Sequence, residues 1–356
     1  IINKKGEFLE DVTLADTIGG WISHLFEYIT GALKDVTFEV YALEDIKAAD
    51  GESEDYYKKD ELIATITTDE AGIAKLSDLP LGKYYVKEKE TAEGYVLDGE
   101  IREIDLTYVD QDTAEVTWSG DWQNNRQKVE VSVLKKEKDS DRVLEGAVFA
   151  LSAKEDITNK DGDVVLEAGT VIEEKATGED GKLTFEADLP IGFSYTVKET
   201  SPAPGFATTD EVQEFTFTAE SSEKATASYE FTFEDEPTVF EFTKTSLTTG
   251  KEIEGAKLTV TDENGEVVDE WVSGKEPHII KELVVGQTYT MTELLPAPGY
   301  VTAESIEFTV EDTAEVQKIE MKDDVTKVEI SKTDIAGEEL PGAKLTILDE
   351  NGEVVE

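Results

Sequence analysis

Three lysines stand where a β-strand would turn them inward. In Val131-Ser132-Val133-Leu134-Lys135, Phe240-Glu241-Phe242-Thr243-Lys244 and Val328-Glu329-Ile330-Ser331-Lys332, the lysine shares the alternating face of two apolar residues, because strand side chains repeat with period two. An ammonium placed in a core needs a partner or must lose its proton. A glutamate recurs at the end of a second kind of run: Tyr84-Tyr85-Val86-Lys87-Glu88, Tyr195-Thr196-Val197-Lys198-Glu199 and Tyr289-Thr290-Met291-Thr292-Glu293. Glu199 and Glu293 are set among apolar strand residues. Burial lowers the pKa of a lysine and raises that of a glutamate. A neutral amine beside a protonated carboxyl is a nucleophile beside a general acid, and it lacks only an electrophile.

These residues are placed by an internal repeat, the strongest signal in the chain. Each glutamate lies seven residues before a closing aromatic: Tyr95, Phe206 or Tyr300. Upstream of each runs Leu-x-x-Gly, from Leu79 to Gly82, Leu189 to Gly192 and Leu283 to Gly286, so that a glycine turn feeds a Tyr-rich strand. The lysine runs open a second repeated element, at 130–151, 239–260 and 327–347. Each reads as a strand, a polar turn, Gly-Ala and another strand. The repeat divides the 356 residues into modules 1–127, 128–237 and 238–326, followed by 327–356 as the start of a fourth. Its DENGEVV at 349–355 copies 262–268. This last stretch is expected to be disordered, or paired with another molecule through open strand edges.

Short alternating strands broken by Asn-Gly, Asp-Gly and Pro-Gly predict an all-β chain of tandem antiparallel β-sandwich modules of immunoglobulin-like type. One short helical insert is predicted over 17–32. Trp21, Ile22, Leu25, Phe26 and Ile29 fall on one helical face, with Thr17 as N-cap and Gly31 near the end. It would interrupt the first module before the strand Val36-Thr37-Phe38-Glu39-Val40-Tyr41.

Acidic residues number 82 against 33 basic ones, a net charge of -49. Such a chain repels nucleic acid and anionic membrane surfaces. It has no cysteine, which excludes disulfides, thiolate metal sites and cysteine nucleophiles. Two histidines, His24 and His278, are too few for a histidine metal site or triad, and no cofactor motif is present. No run is long and apolar enough to span a bilayer. The opening on Ile1, without a signal-peptide pattern, reads as a piece of a longer chain. The acidic run 159–163 reads as a hairpin turn in preference to a calcium loop, and Trp118 and Trp122 read as packing residues in preference to a sugar platform.

The order Gly-Ala-x-Phe, Leu-Pro-x-Gly-x-Tyr, then Lys-Glu-Thr-x-x-Ala-Pro-Gly-Phe resembles the Cna B-type and SpaA-type repeats of Gram-positive adhesins and pilins. That resemblance covers nearly the whole chain and implies a prealbumin-like, inverse immunoglobulin fold. It also supplies the electrophile. In that family an opening-strand lysine is joined to a closing-strand Asn or Asp by an internal isopeptide bond, promoted by the motif glutamate. Carried over, the second module offers Lys135, Glu199 and Asp235, and the third Lys244, Glu293 and Asp323. In the first module the glutamate is Glu88 and the acceptor Asn125, with Asn124 as the alternative. Its lysine is Lys4 or Lys5, and Lys4, which shares a face with Ile2, is preferred.

What the resemblance implies is a structural stalk or adhesin segment of a secreted, cell-wall-anchored surface protein, with no turnover of outside substrates. Contact with the cell wall would run through segments outside this sequence. The alternative is a binding module whose first domain recognises a host extracellular-matrix protein or glycan. An exposed apolar patch over 17–32 would favour that alternative, and a buried one would weaken it.

Overall fold

The computed structural model describes residues 1–15, 21–48, 50 and 52–355. Among them every regular element is a β-strand, and no helix is long and apolar enough to cross a membrane. The chain divides into two compact units. One is Ile1–Thr238 with Glu282–Val285 and Asp312–Glu315; the other is Val239–Lys281, Gly286–Glu311 and Val316–Glu356.

Each module is a pair of facing sheets. In the second module, Lys128–Glu137 lies between Lys182–Phe185, antiparallel, and Thr226–Asp235, parallel. The facing sheet runs Val171–Ala176, Val148–Ala153, Ser194–Ser201, Val212–Thr216. Alternation builds this sandwich: Val131, Val133 and Lys135 turn inward while their neighbours do not. The third module repeats the plan. His278–Lys281, Val239–Ser246 and Val316–Asp323 face Val267–Val272, Lys257–Thr261, Thr288–Leu295 and Ile306–Thr309. The first module sets Ile2–Leu14, Ile73–Ala74 and Gly120–Gln123 against Leu62–Thr67, Thr37–Ala42, Gly82–Glu90 and Ile101–Leu106. In all three, the opening strand pairs in parallel with the closing strand.

Aromatic residues fill the cores. Phe149 meets Phe233 at 4.9 Å in the second module, and Phe38 meets Trp122 at 5.4 Å in the first. Trp122 is therefore a core residue. Asn159 to Asp163 form the turn between Ile157–Thr158 and Val164–Leu166, where the Asn159 side chain accepts from the Asp161 and Asp163 amides.

The helical insert is not what forms over the described part of 17–32. His24–Ala32 is a strand, antiparallel to Ile2–Leu14 from Lys5↔Ala32 to Leu14↔His24; residues 16–20 lie outside the described residues. The apolar spacing fits a helix, but tertiary contacts decide otherwise. As a strand, the segment pairs the free edge of the opening strand and sends Phe26 into the core of the second module. Gly6 permits this arrangement to close over Tyr95: a Cβ there would stand 2.5 Å from the tyrosine ring, whose hydroxyl donates to the Glu7 carbonyl. Residues 326–355 form no named strand, only the isolated bridges Thr333↔Glu339 and Leu348↔Val354, and Val328 and Ile330 are exposed.

Candidate functional site

The parallel ladders set the register of the site. Lys4 lies opposite Trp122, Lys135 opposite Phe233 and Lys244 opposite Met321. Two residues further along each closing strand, on the same face, come Asn124, Asp235 and Asp323. Asn125 lies one residue beyond and is turned out to solvent, so the structure brings Asn124, not Asn125, to the lysine. Period-two alternation forbids both. Lys5 is exposed for the same reason, while Lys4 is buried.

The glutamates enter from the facing sheet. Glu88 pairs with Phe38, Glu199 with Phe149 and Glu293 with Leu258, each just after a register shift in the ladder. A bulge of this kind re-aims a side chain, and here all three carboxyls point into the core. All nine lysine, glutamate and acceptor side chains belong to residues no more than 5% exposed.

In the first module, Lys4 Nζ is 2.6 Å from Glu88 Oε2 and 2.5 Å from Asn124 Oδ1. Asn124 Nδ2 donates to Glu88 Oε1 at 2.5 Å and to Thr91 Oγ1 at 2.7 Å. Glu88 thus touches the amine with one oxygen and the amide nitrogen with the other. Burial holds the Lys4 ammonium below its ordinary pKa, with the Glu88 carboxylate pulling the other way. The second module places Lys135 Nζ 2.9 Å from Glu199 Oε1 and in contact with Asp235 Oδ1. Glu199 Oε2 accepts the Thr209 amide at 2.9 Å. Burial pushes the Glu199 carboxyl up to about 7 and raises Asp235 as well, against the pull of Lys135. Lys244 repeats the pattern, 3.0 Å from Glu293 Oε1 and in contact with Asp323 Oδ1. The Ala303 amide donates to Glu293 Oε2 at 2.8 Å, and burial raises Asp323.

An amine held against the carbonyl oxygen of an amide or acid, with a second carboxyl alongside, is arranged for acyl transfer to nitrogen. Sequence reasoning passed over several supporting groups. Phe38 and Phe149 lie under Lys4 and Lys135, each 5.6 Å from ring centre to ammonium. Thr91 orients the Asn124 amide; its counterparts, three residues past Glu199 and Glu293, are Pro202 and Pro296. No residue-type pattern marks any of these before the register is known.

Paired sheets whose first and last strands run parallel, repeated three times with one buried trio each, define tandem sandwich domains of the prealbumin-like class. Residues 28–122, 129–231 and 238–325 each match the SpaA prealbumin-like fold domain, and the chain belongs to that family. No curated protein matches the sequence. Among solved structures, the Bacillus anthracis TIE protein is 23% identical with a TM-score of 0.53, over 85% of this chain and 55% of that one. The chain therefore spans about half the length of that protein, and the likeness is one of fold. The major pilin subunit BcpA of Bacillus cereus is 14% identical with a TM-score of 0.42, over 91% of this chain and 98% of that one. The shaft pilin SpaA of Lactobacillus rhamnosus GG is 16% identical with a TM-score of 0.26, over 57% and 99%.

Proposed function

We propose that the chain is a tension-resisting stalk segment of an extracellular, cell-wall-anchored surface protein, each module stapled by an internal isopeptide bond. The amine-carbonyl-acid trio, found in all three cores in one register, carries this reading. In the first module Lys4 Nζ attacks Asn124 Cγ; a C–N bond forms, the bond to Nδ2 breaks, and ammonia leaves. Glu88 is placed to take the proton from the attacking nitrogen and deliver it to the departing one. In the second and third modules Lys135 attacks Asp235 and Lys244 attacks Asp323, and water leaves with the proton supplied by the neighbouring glutamate. Each reaction turns over once, and no outside substrate is involved.

Three features support a mechanical role. The cross-links would join the first and last strands across sequence separations of 120, 100 and 79 residues. Closing a loop of about 100 residues contributes on the order of 4.7 kcal/mol in the chain-entropy model. A covalent tie between terminal strands also blocks unzipping from either end, a kinetic protection in a chain without disulfides. The test is intact mass under denaturing conditions. The chain should weigh less than its sequence by one ammonia and two waters, and Glu199→Ala should restore one water. An unshifted mass for the unaltered chain would remove the proposal.

A further inference from the structure

The strand pair Ile2–Leu14 and His24–Ala32 reaches out of the module that makes it. Its Leu9 and Phe26 are both 8% exposed, and they are buried in the hydrophobic cluster of the second module, with Val12 and Tyr28 packed alongside. The surface they cover is the side of that module where Val171–Ala176 ends the four-stranded sheet. Ser23 bridges to Glu173 in antiparallel fashion, and the Glu174 amide donates to the Ile22 carbonyl at 3.0 Å. On the other strand of the pair, the Leu9 carbonyl accepts from the Lys160 amide and the Glu10 carbonyl from the Asn159 side chain. A polar lock closes the base. Tyr28 donates to the Asp188 carbonyl at 2.8 Å. Arg126 lies 3.7 Å over the Tyr28 ring and pairs with Asp188 and Glu7.

An open sheet edge invites pairing with another chain, and a core with one wall missing is not closed. The pair meets both needs of the second module at once. We infer that it is an intramolecular clamp, which supplies a wall of the second module's core, covers the Val171–Ala176 edge, and makes the first two modules a single cooperative body. The two modules lie in one compact unit, as such a clamp requires. Of the apolar residues over 17–32, Phe26 is buried inside the chain, whereas Trp21, Ile22 and Leu25 are exposed.

Hydrogen exchange on the full chain tests this. In Phe26→Asp, the amides of Val171–Ala176 and of residues 185–188 should exchange at least about tenfold faster, or the first two modules should open together. Exchange in Lys257–Thr261 and Thr288–Leu295 of the third module should be unchanged. Arg126→Ala, which removes the polar lock but no member of either hydrophobic cluster, should accelerate the same second-module amides to a smaller degree. If the clamp strands exchange faster, or the first module unfolds, while Val171–Ala176 keeps its protection, the clamp is refuted. Opening of the third module along with the others would equally refute a body limited to the first two.

Discussion

The first module and the second solve the same geometric problem with different charges. Lys4 meets one carboxyl, Glu88, and a neutral amide, Asn124. Lys135 meets two carboxyls, Glu199 and Asp235, and Lys244 likewise meets Glu293 and Asp323. In the first site each Glu88 oxygen accepts a side-chain donor, from Lys4 and from Asn124. In the other two, one oxygen of each glutamate is held by a backbone amide. Glu199 Oε1 and Glu293 Oε1 face the lysine ammonium at 2.9 and 3.0 Å, whereas among the described residues Asp235 Oδ2 and Asp323 Oδ2 accept no hydrogen bond. A proton is the donor that those two aspartate oxygens lack, and burial raises Asp235 and Asp323 in the direction of holding one, with Glu199 raised beside Asp235. The group opposite each lysine thus sets the proton inventory: an amide brings its own donors, whereas an acid needs one proton more.

The largest effect is expected from deleting the cation. Both Lys135→Met and Lys4→Met would remove the proposed staple, so their difference isolates the extra carboxyl. Lys135→Met strands two buried acids, and breaking a buried ion pair from one side costs about 3–5 kcal/mol. Lys4→Met leaves one acid that still accepts from Asn124, and its cost should be smaller. The pH profiles should differ too. Burial has raised Glu199 to about 7 with Lys135 present, and removing Lys135 raises it further. Between the ordinary carboxylate pKa and the raised one, the folded module holds a proton that the unfolded chain has lost. Stability of the Lys135→Met module therefore falls as pH climbs from the ordinary carboxylate range to beyond the value of about 7 that holds with the lysine present. Calorimetric melts across that range would show it. A flat profile, or equal losses in the two variants, would erase the distinction between the sites.

Much of this was legible in the sequence because strand alternation is a local rule. Val131, Val133 and Lys135 declared their shared face without any knowledge of the partner strand, and the repeat carried the rule to Lys244. The acceptor of the first module was harder. Asn124 and Asn125 are adjacent and identical, and only pairing with the opening strand, Lys4 opposite Trp122, decides which points inward. The segment after Gly20 failed for a related reason. Its apolar residues satisfy helical spacing, but Phe26 answers to the core of the next module, more than a hundred residues away in sequence. Local periodicity cannot register a partner at that distance.

A substitution of intermediate effect would exchange the two chemistries. Asp235→Asn gives the second module the acceptor of the first, without the hydroxyl that Thr91 contributes there. The bond should still form, and its mass deficit should change from water to ammonia. Thermal stability should shift little, because the cross-linked product is the same amide. If the variant stays at full mass, Glu199, with one oxygen committed to the Thr209 amide, cannot serve a leaving nitrogen, and the two sites are not interchangeable.

The smallest effect probes what the amide site adds. Asn124 Nδ2 is shared between Glu88 and Thr91, which fixes the amide plane with its oxygen toward Lys4. Thr91→Val keeps the shape and removes one acceptor, a net loss of about 0.5–1.5 kcal/mol for a typical hydrogen bond. The amide then gains freedom to turn away from the amine. Ammonia loss from freshly folded protein, followed by mass against time, should slow severalfold at most. Water loss in the other two modules, where Pro202 and Pro296 occupy the matching positions, should proceed at the unaltered rate. An unchanged rate in the first module would mean that Glu88 alone orients the amide, and that the hydroxyl is packing rather than positioning.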